Sequence, residues 1–155
     1  MISVRTLLLA PIWGIGLVVG FVFLRLNGPD LEESLFPVIT GQEIVETWRT
    51  PTQACFRWRY TKARDVRFIR QVFVLERPDG VRFPTTAIRA DLGIPINETT
   101  TAPAGETRTI PYCADVPTAV REEPRFVLAG RNVYRSSTQL WDVEQPFLPV
   151  TYRGP

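Results

Sequence analysis

Six basic side chains lie between Phe56 and Arg70, namely Arg57, Arg59, Lys62, Arg64, Arg67 and Arg70, against the single acid Asp65, so this stretch carries a local charge of +5. Phe56, Trp58, Tyr60 and Phe68 are interleaved with them. Guanidiniums in such a stripe can form bidentate contacts to phosphate or carboxylate, which suits anionic lipid head groups, lipopolysaccharide phosphates, a polyanionic polymer or an acidic protein partner. The same pattern is also that of one strand and a loop with a charged outward face, neutralised from neighbouring strands by residues such as Glu43, Glu46 or Glu76.

The chain contains no histidine. Ser-His-Asp and Cys-His nucleophilic catalysis, His-ligated metals and imidazole acid–base chemistry are therefore excluded. The only methionine is Met1, so thioether copper sites are absent too. No Gly-rich phosphate loop, CxxC, EF-hand loop or GxSxG motif occurs, and no metal or cofactor is expected. Carboxylate catalysis survives, with Glu122-Glu123 and Asp142/Glu144 as candidates, because any fold can bring two acids together. Solvated turn and loop charges are the plainer account of both pairs.

Cys55 and Cys113, the only two cysteines, both fall in segments that read as strands, and a disulfide in an oxidising compartment would look like this. Two buried thiols in a cytosolic domain are the alternative. A bridge closing so long a loop is worth roughly 4 kcal/mol on chain-entropy grounds.

These residues are carried by a chain that starts with a membrane-spanning signature. Leu7 to Leu24 contains no charge and lies between Arg5 and Arg25. At ~1.5 Å per residue it reaches roughly 27 Å, close to the ~30 Å of a hydrocarbon core. A cleaved signal peptide fits less well, because no Ala-x-Ala-like site follows the apolar run. The reading is a tail over 1–6 inside the cytoplasm, a membrane helix over 7–26 that stops near Asn27 at Gly28-Pro29, a spacer over 27–40 and a domain over 41–155 outside it. The spacer has room for one helical turn at Asp30–Leu35. Gly16 and Gly20 form a GxxxG pair, a packing face for a second copy or another membrane helix.

The domain reads as all-β. Phe56, Trp58 and Tyr60 alternate with Arg57 and Arg59, the period of a half-buried strand. Val72-Phe73-Val74-Leu75 is apolar on both faces, as a central strand would be, and Pro78-Asp79-Gly80 is the turn of a hairpin between Val66–Arg77 and Val81–Ile88. Further strands are expected at Glu43–Arg49, Glu106–Cys113, Arg125–Leu128, Val133–Arg135 and Phe147–Tyr152, with a helical turn at Thr118–Glu123. The expected architecture is an immunoglobulin-like two-sheet β-sandwich, although Trp58 lies too near Cys55 for an antibody-type core. Asn97–Gly105, rich in Thr, Ala and Pro, is expected to be a surface loop, and Asn97-Glu98-Thr99 spells a glycosylation sequon.

Seventeen of eighteen basic residues are Arg, and beyond Asn27 the acidic and basic residues balance. A generally nucleic-acid-binding domain would be distinctly basic, so nucleic acid is not an expected partner. The sequence therefore leads to a single-pass protein of the inner (cell) membrane with its C-terminal domain in the periplasm, a non-enzymatic binding or assembly subunit of an envelope complex, cellular or phage-encoded. A protein partner, a second copy, or an anionic lipid or polysaccharide are its expected contacts. An anchored carboxylate-dependent glycan hydrolase is the alternative.

Overall fold

The computed structural model describes residues 4–95 and 103–153. The sequon and most of the expected Asn97–Gly105 loop lie outside these. One long helix, α1 (Val4–Leu35), precedes ten strands: β1 (Ile39–Arg49), β2 (Gln53–Lys62), β3 (Arg67–Glu76), β4 (Arg82–Thr85), β5 (Ala87–Arg89), β6 (Ile94–Pro95), β7 (Thr107–Asp115), β8 (Arg125–Arg135), β9 (Asp142–Pro146) and β10 (Val150–Arg153). A single turn, α2 (Thr118–Arg121), lies between β7 and β8. The strands form two antiparallel sheets, ordered β1-β2-β7-β5-β6 and β10-β8-β3-β4, with β9 paired to β8.

Alternation along the strands builds the core between the sheets. Phe56, Trp58, Ile110 and Tyr112 from the first sheet meet Phe73, Leu75, Phe126 and Leu128 from the second, all of them buried. Phe147, just past β9, closes the layer: its ring stacks on Phe73 at 5.2 Å and meets Trp58 edge-on at 4.3 Å. Cys55 and Cys113 are direct partners on β2 and β7, are buried, and form a disulfide with a Cα–Cα distance of 4.0 Å. The bridge therefore joins neighbouring strands of one sheet.

Local signals placed several elements well. The Pro78-Asp79-Gly80 turn connects β3 to β4, with Arg77 N donating to Val81 O and Val81 N to the Asp79 carboxylate. The stretch Val81–Ile88 is not one strand, however. It leaves the second sheet after Thr85 and joins the first at Ala87, where it pairs with β7. The two segments expected at Arg125–Leu128 and Val133–Arg135 are one continuous strand, because Ala129 and Gly130 keep pairing with β3. Nothing apolar enough announces β9, whose Asp142, Glu144 and Pro146 are not buried.

The largest correction concerns α1. It does not stop near Asn27, and no separate spacer follows; the helix runs through Gly28-Pro29 to Leu35 and ends before Pro37. An interior proline removes one backbone hydrogen bond and costs about 3 kcal/mol in isolation. Contacts with the domain offset that cost. Gly28 is buried against the Trp141 ring so closely that a Cβ there would lie 2.9 Å from ring carbons. One turn on, the Glu32 carboxylate accepts hydrogen bonds from Arg64 Nη1 at 2.7 Å, Ser136 Oγ at 2.7 Å and Trp141 Nε1 at 2.8 Å. The helix is thus docked onto the sandwich rather than strung from it.

Candidate functional site

The junction of α1 with the domain is where polar chemistry concentrates. The loop after β8, 136–141, folds on itself through Ser136: its backbone N–H donates to Trp141 O, and its hydroxyl accepts from Thr138 N. That fold presents Ser136 Oγ and Trp141 Nε1 to Glu32 from one side while Arg64 arrives from the turn after β2. Arg25, the first charge after the apolar run, donates to the Leu140 carbonyl. Behind the junction, buried Gln145 on β9 exchanges two hydrogen bonds with the backbone of Ile39, at 2.8 and 2.5 Å, and so fixes the chain where it leaves α1 and enters β1.

The basic stripe, continuous in sequence, is distributed over different elements. Arg57 and Arg59 stand on the outer face of β2, and each meets an acid of β1: Glu46 at 2.7 Å and Glu43 at 2.9 Å. Lys62, at the end of β2, is largely buried with its ammonium 3.2 Å from Asp65. Arg64 belongs to the helix junction. Arg67 and Arg70 begin β3 on the other sheet, on either side of a register shift. Other arginines of the first sheet are compensated as well: hydrogen bonds from Arg89 and Arg108 hold the Asp91 and Glu106 carboxyls below the usual carboxylate range.

Two grooves flank the junction. In one, of about 570 Å³, Arg67 and Arg135 are direct partners across β3 and β8, joined by Ser136, Ser137 and Gln139. Gln139 has a φ of 60°, the left-handed conformation that a side chain rarely adopts without tertiary support. The other, of about 510 Å³, is lined by Asp30 and Glu33 of α1, Asp142 and Glu144 of β9, and Arg70 and Arg131. Here Asp142 pairs with Arg135 at 3.0 Å and Glu144 with Arg131 at 3.1 Å, while Glu123 is held by Arg77 at 2.8 Å. Among the described residues no group of three or more His, Cys, Asp and Glu side chains could hold a metal ion.

Sequence reasoning singled out Arg64 and Arg67 but not Glu32, Arg135, Ser136 or the docking role of Trp141. Their roles depend on which strands become neighbours, and nothing local to Arg135 or Trp141 carries that information. Gly16 and Gly20 lie on α1 with open space around them.

No family model matches the chain, and no curated protein does. Among solved structures, "X-ray structure of Northeast Structural Genomics Consortium target SoR45" aligns over 76% of this chain and 88% of that chain, at 11% sequence identity and a TM-score of 0.42. So distant a likeness carries no functional argument, and the chain's own geometry has to supply one.

Proposed function

We propose that the chain is a single-pass membrane protein that holds an immunoglobulin-like sandwich outside the cytoplasm, as a non-enzymatic binding or assembly subunit of an envelope or membrane-associated complex, cellular or phage-encoded. The observation that carries this reading is the continuity of α1. By length and composition its segment within Trp13–Leu35 can cross a membrane; the charge-free run ends at Leu24, and large apolar side chains from Trp13 to Leu26 are exposed along it. Beyond Arg25 the same helix runs on unbroken through the turns that Gly28 and Glu32 lock against the domain. A flexible tether would serve an enzyme that searches for substrate; a docked helix fixes the height and orientation of the domain, as an assembly contact requires.

Strand order supports the immunoglobulin-like assignment. The series β1-β2-β7-β5 opposite β10-β8-β3-β4 resembles the ABED and GFC arrangement with an added C′ strand, while β6 at one edge and β9 beside β8 are additions to it. The disulfide departs from antibody domains, where the bridge joins the two sheets. It supports an oxidising compartment, hence the placement of the domain outside the cytoplasm with the N-terminal tail inside. Gly16 and Gly20 would let a second copy or another membrane helix approach closely. The hydrolase alternative would have to use the Asp30–Glu144 groove, whose two β9 acids are already engaged by Arg135 and Arg131.

A reporter fused after Pro155 should be active only when exported, and the two cysteines of unreduced full-length protein should resist maleimide after denaturation. Reporter activity in the cytoplasm, or two reactive thiols, would overturn the topology.

A further inference from the structure

We propose that the groove between Arg67 and Arg135 seats the phosphate of an anionic phospholipid, so that the domain rests on the headgroup layer of the bilayer that α1 crosses. The proposal rests on the anchored reading above. Its first support is height. Arg25 closes the apolar run of α1, and its guanidinium donates to the Leu140 carbonyl, which brings the tip of the 136–141 loop level with the end of the membrane-spanning stretch. At ~1.5 Å per residue, Glu32 stands roughly 10 Å further along the helix, and Ser136 is bonded to it. The loop tip at Leu140 therefore stands at the base of a headgroup layer about 5–7 Å deep, and Ser136, which lines the groove, stands just above it.

The second support is charge. Arg67 and Arg135 are directly opposed on β3 and β8, so both side chains project from the same face. Like charges directly opposed across strands destabilise a sheet unless an anion lies between them. Asp142 holds Arg135 from the β9 side at 3.0 Å, and Asp65, which lines the groove, lies 3.2 Å from Lys62. Among the described residues no carboxylate lies within 4.0 Å of a nitrogen of Arg67. The Ser137 hydroxyl is a further donor for phosphate oxygens, since the Ser136 proton is given to Glu32, and Gln139, in the left-handed conformation, also lines the groove.

The third support is the surface around it. Leu140 is half-exposed beside Arg25, and Leu26, Leu31, Leu35 and Phe36 continue the exposed apolar surface of α1 past Arg25 toward the domain. Trp141 adds an aromatic ring with its N–H held by Glu32, as side chains at a membrane interface commonly do. A soluble anion would explain the two arginines but not this apolar border, so the phosphate assigned here is that of a lipid.

The test uses the full-length chain, reconstituted from a mixture of phosphatidylcholine with minor phosphatidylglycerol, repurified, and analysed for bound lipid by native mass spectrometry. The wild type should retain phosphatidylglycerol over its bulk share by a factor on the order of ten, the scale set by two arginines at an anionic surface. Arg67→Gln with Arg135→Gln should return retention to the bulk ratio, whereas Arg57→Gln with Arg59→Gln should leave it unchanged; a thermal melt shows that both pairs fold. Equal retention by the Arg67/Arg135 pair, or none by the wild type, overturns the inference. Millimolar inorganic phosphate that binds the lipid-free chain in detergent and displaces the phosphatidylglycerol would also overturn it, in favour of a soluble anion. Alkaline extraction separates the two levels: protein that stays in the membrane without lipid preference sinks only this inference, while protein released as soluble sinks the anchor itself.

Discussion

Gly130 sits where β8 passes over the Phe73 ring. A Cβ there would lie 2.6 Å from Phe73 Cδ1 and 2.9 Å from the Val72 carbonyl, with backbone on one side and a core ring on the other. Neither can retreat far, since Phe73 is also stacked on Phe147. Gly130→Ala should therefore cost about 1–3 kcal/mol, the usual range for overpacking a closed core. Urea unfolding of the full-length chain in detergent would show it as a lower midpoint at unchanged slope; an unchanged midpoint would mean that the ring moves aside freely. In the sequence this glycine reads as a break between two strands, because its chain neighbours reveal nothing of a ring supplied by β3. The cysteines lie at the opposite extreme. Their number, and their place in two strand-like segments, were enough to pair them. For the basic stripe only the charge was legible. Its partition into β1 ion pairs, a helix lock and an open groove follows from register, and register is a property of the partner strands.

Among the elements, α1 shows how tertiary contact overrides local signals. Gly28-Pro29 is a sound stop signal, yet both residues lie inside the helix, because the glycine is needed for contact with Trp141 and the turn after Pro29 carries Glu32. The Pro-Asp-Gly hairpin was legible because its mechanism is local; the sheet switch at Thr86 was not, since Asp115 N donating to Thr86 O is what draws the chain across. Gly16 and Gly20, with nothing within 4 Å of the Cβ each would carry, give α1 a flat face that, on the anchored reading proposed above, would lie inside the bilayer. Replacing both with isoleucine should lower self-association of the isolated helix in a bilayer reporter assay, because the branched side chains block close approach. An undiminished signal would leave them as ordinary membrane glycines.

At the scale of the whole molecule, two antiparallel sheets enclose one aromatic core, and a single helix both presents and orients them. That much of the architecture, an apolar N-terminal helix and a β-rich domain with one disulfide, was legible from composition and periodicity. The rigid coupling between the two parts was not, because it is made by residues far apart in the chain such as Glu32 and Ser136.

On the anchored reading proposed above, which would hold the protein at one end, the disulfide has a mechanical meaning. Cys55 and Cys113 are 58 residues apart, and β3 to β6 lie wholly within the loop they close. Tension between α1 and Arg153 can peel β1, β8 and β10, but it cannot draw out the enclosed segment. Pulled in optical tweezers, the oxidised chain should lengthen by roughly 200 Å less than the reduced one, at about 3.5 Å for each shielded residue. Equal extensions would mean that the bridge does not carry load. The sheet containing β2 and β7 thus acts as a knot in the line of force, and the stretch containing Arg67 and the β3–β4 hairpin is spared extension while the strands outside the loop bear the load.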